Sequence, residues 1–274
     1  MTTTLRPSAP LQQSTGGGRS RPYEVRVNSR RVGALLIAAD TAFGPTVGEI
    51  RGLAIDEPDR RRGRATVAAL AAEEVLRGWG CRRVRVCVPA GSAGGLRMAE
   101  ALGYTEHGRN MAKELPAEPP ALSEGVRGRP MTPAEYEVWI AAARAAYAET
   151  WIGRGMSPQA AHAKSAADHD TQLPRGLATP GVSVCVLEAA GVPVGQVWVG
   201  PNGGDAYVYD VEVAAEHRGR GYGRDLMLLA ERAALAGGGR TLALHVFAEN
   251  TPALRLYESL GYRPTGINFA KELI

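Results

Sequence analysis

Cysteine is scarce in this sequence of 274 residues, which contains only Cys81, Cys87 and Cys185. Three cysteines without close paired spacing argue against a disulfide framework and against a zinc cluster. Cys87 and Cys185 lie in apolar runs, so we expect them to be small buried residues. No metal site is predicted, and the cytoplasm is the expected compartment.

Long apolar runs are also missing. No stretch approaches the ~18 residues that a membrane-spanning helix needs, and the polar N-terminal segment has no apolar core that would resemble a secretory signal. We therefore predict no membrane partner and a flexible polar tail over residues 1–21. Hydrophobic residues are 45% of the chain and charged residues 22%, which is typical of a globular protein long enough for two modest domains.

Aromatic residues are only 6% of the sequence, and the net charge of +4 is mildly basic. A basic balance can indicate a nucleic-acid surface or an anionic cofactor. The arginine-rich run at residues 60–64 lacks the interleaved aromatic residues that stack on bases. We therefore predict no nucleic-acid partner and look for an anionic small molecule.

An internal repeat is the main feature that is present. The segments Gly103–Leu115 and Gly261–Leu273 are identical at eight of thirteen positions, and they are 158 residues apart. The same offset places Arg60 on Arg218 and Gly63 on Gly221 without a gap. One constant offset over more than fifty residues indicates a tandem duplication.

The repeat defines the predicted domains. The first copy spans residues 22–115, a proline- and glycine-rich linker spans 116–130, and the second copy spans 131–274. The predicted elements of the second copy are helices at 132–151 and 157–172, strands at 182–187, 192–199 and 206–213, a helix at 223–236, a strand at 241–247, a helix at 251–260 and a strand pair at 262–273. In the first copy, residues 23–27, 32–38 and 47–55 fill the three strand positions, and nothing remains for the two leading helices.

A glycine-rich loop follows the strand at 206–213. Gly219, Gly221 and Gly223 let backbone N–H groups approach a ligand without an intervening Cβ. The helix that begins there directs its unpaired N–H groups and its positive dipole end to the same place. Three arginines add positive charge: Arg218, Arg220 and Arg224. The loop is predicted to bind a pyrophosphate, although a glycine- and arginine-rich surface turn can look the same.

Two motifs together resemble the GNAT superfamily of N-acetyltransferases. Arg218, Gly221 and Gly223 match its Arg/Gln-x-x-Gly-x-Gly/Ala loop. Further along, the family's pattern of an asparagine, a short helix, a tyrosine and Gly-Phe/Tyr is matched by Asn250, Ala253, Leu256, Tyr257, Gly261 and Tyr262. The resemblance covers residues 127–274 and implies an α/β (α+β) tandem fold, with a mixed central sheet flanked by helices in each domain.

The resemblance also implies where acetyl-CoA binds. The loop residues Arg218, Gly219, Arg220, Gly221, Tyr222, Gly223 and Arg224 would hold the pyrophosphate. The pantetheine arm would lie where two parallel strands separate, near Val211 and Val213, and a backbone N–H there would polarise the thioester carbonyl. Asn250 and Ala253 would contact the arm, with a helix N-cap as the alternative role of Asn250. Tyr257 would protonate the leaving sulfur, or else be a packed core tyrosine.

The general base is open at this point. His245 lies on the strand that leads to the second motif, where some family members carry a glutamate, and histidine titrates near neutrality. Glu212 shares one strand face with Asp210 by alternation, and either could act through water. A lone strand histidine is equally compatible with a structural role.

The first copy keeps Arg60, Gly63 and Ala65 in its loop but carries Ala99 at the position of Tyr257. Ser92 stands for Asn250 and Cys87 for His245. Because alanine has no proton to give, we predict no transferase activity in this copy. Its loop could hold CoA or be a solvated basic turn.

The predicted function is transfer of an acetyl group from acetyl-CoA to a primary amine, with a small molecule favoured over a protein as acceptor. A non-catalytic acyl-CoA-binding or sensing protein is the alternative. Trp139, Tyr147 and Trp151 could line the acceptor pocket or be core residues. The tandem layout is also similar to that of mycothiol synthase, which acetylates a cysteinyl amine, but no residue here specifically demands that acceptor. Both a monomer with two packed domains and a homodimer remain open.

Overall fold

A computed structural model of the chain describes residues 2–14, 17–39, 43–44, 46–153 and 155–273. The chain forms two compact units. Unit 1 comprises Met1–Arg109, Phe247–Glu249 and Thr265–Ile274, and unit 2 comprises Asn110–Val246 and Asn250–Pro264. Among the residues described, no helix is long and apolar enough to cross a membrane.

Unit 1 is a mixed sheet with two helices, α1 (Arg64–Gly78) and α2 (Ala93–Ala101). Its strands are β1 (Thr3–Pro7), β2 (Gln12–Gln13), β3 (Arg19–Val27), β4 (Arg30–Ala39), β5 (Val47–Ile55), β6 (Arg83–Pro89) and β13 (Arg263–Glu272). They are ordered β1-β3-β4-β5-β6-β13, with β2 paired to β3. In the described part of this unit, no α-helix precedes β5.

Unit 2 has the same mixed architecture with four helices: α3 (Pro133–Ile152), α4 (Pro158–Gln172), α5 (Tyr222–Ala236) and α6 (Thr251–Ser259). Its strands are β7 (Thr105–Glu114, from Asn110 onward), β8 (Val126–Pro130), β9 (Ser183–Ala189), β10 (Val192–Asn202), β11 (Asp205–Val213) and β12 (Thr241–Phe247). Their order is β7-β12-β11-β10-β9-β8. The predicted fold class is confirmed.

Alternation along β10 divides the core of unit 2 into two layers. Val197 and Val199 point to one face and pack in a cluster with α5, α6 and β12. Trp198, between them, points to the other face and packs with Trp139 of α3. Because two helices precede β9 only in this copy, only unit 2 covers that second face with α3 and α4.

The last strand of each copy completes the other unit. β13, from the second copy, pairs antiparallel with β6 in unit 1. The second half of β7, from the first copy, belongs to unit 2, where Met111 is fully buried in the core. The sequence analysis predicts a strand pair within residues 262–273, but the structure has the single strand β13, because its partner comes from the other copy.

Equivalent ion pairs lie at the two exchanged strands. Lys113 Nζ is 2.6 Å from Glu231 Oε1 in unit 2, and Lys271 Nζ is 2.8 Å from Glu73 Oε2 in unit 1. Both glutamates are buried, with 0% and 1% of the side chain exposed. A buried carboxylate needs a partner, so each copy supplies the cation that neutralises the other's glutamate.

The predicted tail, the predicted linker and Cys87 differ from the sequence predictions, and β1, β2 and the start of β3 all lie within residues 1–21. Residues 3–7, assigned to a flexible tail, form β1, because Leu5 packs on the core of unit 1 and pairs with Val25 of β3. Val126–Pro130, assigned to the linker, forms β8, an edge strand, where a proline is tolerated. Cys87, expected to be buried, is exposed on β6.

Candidate active site

The glycine loop, residues 218–224, connects β11 to α5 in an open conformation. Gly219 and Gly221 have φ angles of 77° and 89°, in the left-handed region that favours glycine. A Cβ atom at either position would meet nothing within 4 Å. α5 begins at Tyr222, and no side chain in the described part of the chain caps it at Gly221. The Arg224 N–H donates to the Gly221 oxygen at 2.9 Å, so the two N–H groups before it, those of Tyr222 and Gly223, are available to an external anion.

Neighbouring side chains hold this loop in place. The exposed Arg218 donates from Nε to the Val213 carbonyl oxygen at 3.2 Å, and Arg224 donates from Nη2 to Ser259 Oγ on α6 at 2.7 Å. Arg220 is exposed, and half-buried Tyr222 packs on the core. Gly223 lies so close to α6 that a Cβ would be 3.2 Å from Leu256. The predicted loop residues therefore form one basic surface at the start of α5.

Two parallel strands separate beside this loop. Within the described ranges, β11 and β12 pair only at Ala206–Leu242 and Tyr207–Ala243. Beyond those pairs, β11 continues to Val213 and β12 to Phe247, and the two strands are no longer hydrogen-bonded to each other. The sequence analysis predicts an opening at this place, between the strand ends near Val213 and Phe247.

The backbone groups of Val211 and Val213 face this opening. The Ala214 N–H bonds to the Val194 oxygen at 3.0 Å, so these two residues form a hydrogen-bonded antiparallel pair. Hydrogen-bonded and non-bonded pairs alternate along such a ladder. Val211 and Val213 therefore direct their N–H and C=O groups away from β10, to the side where β12 diverges.

Tyr257 lies on α6 and is 7% exposed. Burial, and next the negative charge of Asp210, raise the pKa of its phenol to about 12. The hydroxyl is therefore protonated at neutral pH and can donate a proton. At the start of the same helix, Asn250 is the N-cap, and its Oδ1 accepts from the Ala253 N–H at 3.3 Å.

A cavity of about 1230 Å³ lies between α3, α4 and the face of β10 and β11. Trp139 and Tyr147 line it, as the sequence analysis suggests, whereas Trp151 is buried and is not among its described lining residues. Sequence reasoning did not identify Trp198, Tyr209 and His169, which also line it. These three belong to separate elements, so only the fold brings them together.

Asp210 and Glu212 both line this cavity, but their surroundings differ. Asp210 accepts a hydrogen bond from Trp139 Nε1 at 3.3 Å, and burial raises the pKa of its carboxyl group despite that bond. Glu212 is exposed on 56% of its side chain, accepts from Gln196 at 3.1 Å and lies 3.7 Å from Arg218. Asp210 therefore has the surroundings of a general base, and Glu212 those of a solvated, partly neutralised carboxylate.

His245 lies one strand away on β12. Leu244 and Val246 point into the α5 layer, so by alternation His245 shares the opposite face with Trp198 and Asp210. It is half-buried and is not among the described residues that line the cavity.

The equivalent positions in unit 1 lack the two carboxylates and the tyrosine. At the repeat offset of 158, Gly52 replaces Asp210, Ala54 replaces Glu212 and Ala99 replaces Tyr257. The loop keeps Gly63 at φ 70°, but Arg61 (φ 57°) replaces Gly219. The parallel pair β5–β6 also continues to Ile50–Val86, which is one pair further than its counterpart in unit 2.

Two parallel strands that separate beside a glycine loop at the start of a helix offer free backbone groups and N–H donors to one elongated anionic ligand. The family model described as "Acetyltransferase (GNAT) family" matches residues 5–104 and 144–262. The chain therefore belongs to the GNAT acetyltransferase family, with both copies matched, and it is an acetyl-CoA-dependent N-acetyltransferase.

Individual relatives agree with this assignment. The chain is 31% identical over 150 residues to the uncharacterized N-acetyltransferase YycN of Bacillus subtilis, covering 53% of this chain and 96% of that protein. It is 33% identical over 187 residues to the mycothiol acetyltransferase of Thermobispora bispora, covering 62% of this chain and 57% of that enzyme.

Solved structures share the fold. A GCN5-related N-acetyltransferase from Sphaerobacter thermophilus superposes with a TM-score of 0.64 at 19% identity, covering 92% of this chain and 80% of that one. A tandem GNAT protein from the clavulanic acid biosynthesis pathway superposes with a TM-score of 0.57 at 21% identity, covering 96% and 85%. The tandem arrangement predicted from the repeat is therefore confirmed.

Proposed function

We propose that unit 2 transfers the acetyl group of acetyl-CoA to a primary amine of a small molecule by direct attack, with Tyr257 as general acid. The observation that carries this proposal is the opening between β11 and β12. The glycine loop follows β11, Asp210 of β11 lines the cavity on the α3 side, and the charge of Asp210 acts on Tyr257 of α6. Unit 1 lacks the corresponding acid and carboxylates and serves a structural role.

The residues present fit the coenzyme. A diphosphate needs several N–H donors and positive charge, and the loop offers the uncapped start of α5, two glycines without obstructing neighbours, and three arginines. Arg218, Gly219, Arg220, Gly221, Tyr222, Gly223 and Arg224 would bind the pyrophosphate. The groups of Val211 and Val213 that face the opening would bind the pantetheine arm, with Asn250 and Ala253 at its far side.

The reaction then needs one proton acceptor and one proton donor. The amine nitrogen forms a bond to the thioester carbonyl carbon, the C–S bond breaks, and the products are an amide and free CoA. A backbone N–H at Val211 or Val213 stabilises the oxyanion. Tyr257, whose pKa is raised to about 12, gives its proton to the leaving thiolate. Glu212, Asp210 and His245 remain predicted contributors to amine deprotonation, and Asp210 is favoured because its carboxyl group lines the cavity and has a raised pKa.

Replacing Tyr257 with Phe tests this proposal. Removing one hydroxyl from a buried ring leaves the packing in place but removes the proton donor, so we expect thiol release from acetyl-CoA to slow by roughly 100-fold. The measurement is thiol release with a panel of primary amines, which should include thiol-bearing amines because several relatives are mycothiol acetyltransferases. The affinity for CoA should be unchanged, and unchanged turnover would remove Tyr257 from its role.

A further inference from the structure

The α3 side of the cavity is formed by two rows of residues. The inner row is Trp139 and Ala143, which pack with the sheet, and Tyr147, which contacts His169 of α4. The outer row repeats every four residues, and its members are all small or apolar and uncharged: Ala134, Val138, Ala142, Ala146 and Thr150. Val138 is 74% exposed, so its apolar side chain is accessible to a ligand in the cavity.

The outer row extends away from the catalytic carboxylate. Trp139, which bonds to Asp210, marks the turn of α3 nearest to that carboxylate. Thr150 lies eleven residues further along the helix, which corresponds to about 16 Å at 1.5 Å per residue. The cavity wall is therefore an uncharged groove that begins at Asp210 and is long enough for an elongated molecule.

The floor of the groove is aromatic. Trp198 stacks on Tyr209 at a centroid distance of 4.7 Å, and His169 lies 5.8 Å from Trp198. Trp198 is 5% exposed, and its Nε1 has no hydrogen-bond partner among the described residues. Apolar and neutral polar groups fit such a floor, because aromatic faces attract apolar groups and cations but not anions.

The charges of the lining are of one sign. Glu135, Asp168, Asp210 and Glu212 line the cavity, and its described lining contains no lysine or arginine. Glu135 is paired with Arg129 and Asp168 with Lys164, both outside the lining. Glu212 also lies 3.7 Å from Arg218, which is outside the lining. Asp210 therefore remains, among the carboxylates described, to receive a cation. An anionic group beside Asp210 would lose water and meet a carboxylate instead of a cation, which is unfavourable.

We propose that the acetyl acceptor is an elongated primary amine whose body carries no anionic group. Its ammonium end binds at Asp210, and its neutral, largely apolar body lies along the outer row of α3. This inference rests on the proposed function and specifies the class of its substrate. Amines that carry a carboxylate or phosphate near the amino group are excluded as good substrates.

Matched amines test the charge requirement. Tryptamine and tryptophan differ by one carboxylate, as do phenylalanine amide and phenylalanine. We expect kcat/KM to be at least about tenfold higher for the member without the carboxylate, which corresponds to a preference of about 1.4 kcal/mol. Equal or reversed values, with clear thiol release for both members, would overturn the inference but leave the acetyltransferase assignment intact. If no amine releases thiol from acetyl-CoA, the proposed function itself fails.

Two neighbouring alanines of α3 test the groove. Ala146 belongs to the outer row, whereas Ala145 is exposed and is not among the described lining residues. Ala146→Trp should raise the KM for octylamine at least about fivefold while leaving the KM for ethylamine and for acetyl-CoA unchanged. Ala145→Trp, with the same added bulk, should change none of the three. Equal effects of the two substitutions on octylamine would place the acceptor elsewhere.

Discussion

The negative charge of Asp210 on β11 acts on the phenol of Tyr257 on α6. The charge of Asp210 is the second cause, after burial, of the raised pKa of Tyr257. Burial in turn raises the pKa of Asp210. A general acid that stays protonated and a carboxylate that is more basic than usual are thus produced by the same low-dielectric surroundings.

The pH dependence of turnover tests the role of Asp210. The raised pKa of its carboxyl group means that the group is protonated, and unable to accept a proton, up to a higher pH than an ordinary aspartate. We expect kcat/KM to fall on the acid side through this raised pKa. Asp210→Asn should lower kcat/KM by roughly 100-fold at neutral pH and remove that acid limb.

The matched control is Glu212→Gln, which changes the exposed carboxylate on the same strand face. It should reduce activity less and leave the acid limb in place. If Glu212→Gln instead removes the limb and Asp210→Asn preserves it, the base is Glu212, as the sequence analysis allows.

The sequence could place Tyr257 and the loop glycines but could not choose between the two carboxylates. Strand alternation puts Asp210 and Glu212 on one face, so the sequence predicts the same surroundings for both carboxyl groups. The difference comes from Trp139, 71 residues earlier in the chain, which bonds to Asp210 and covers it. The spacing of residues within one strand cannot predict a contact between positions so far apart in the sequence.

At the scale of elements, the exchange of strands between the two units is the feature that the repeat does not predict. The segments around Lys113 and Lys271 have nearly the same sequence, so each would fit beside either buried glutamate. The repeat predicts that equivalent strands exist in both copies but not which unit each strand completes. Only the pairing of β13 with β6, and the burial of Met111 in unit 2, resolve that choice.

Double-mutant cycles test the exchange directly. Alanine substitutions at Lys113 and Glu231 should be coupled by about 1 kcal/mol or more in the free energy of unfolding, because each single change leaves the other charge buried without its partner. Lys271 and Glu73 should be coupled in the same way, as measured by chemical denaturation. Without the exchange, coupling would instead appear between Lys113 and Glu73 and between Lys271 and Glu231.

At the scale of the whole molecule, the second copy has the carboxylates and the tyrosine of the candidate site, whereas the first copy has the mixed sheet without them. The sequence predicts the duplication, the missing leading helices and the loss of the tyrosine at Ala99. It does not predict that residues 3–7 form a strand, because a short polar segment shows its role only when Leu5 meets the core. The repeat offset makes Gly52 and Ala54 the counterparts of Asp210 and Glu212, but only the structure shows that these two carboxylates line a cavity.

Calorimetric titration with CoA tests most directly the claim that unit 2 alone binds the coenzyme, through the glycine loop. Gly221 and Gly63 are equivalent helix N-caps with positive φ, and a Cβ added at either would have no atoms within 4 Å, so valine strains both backbones alike. We predict one binding site per chain, lost in Gly221→Val and retained in Gly63→Val. Two sites per chain, or binding that survives Gly221→Val, would contradict the account.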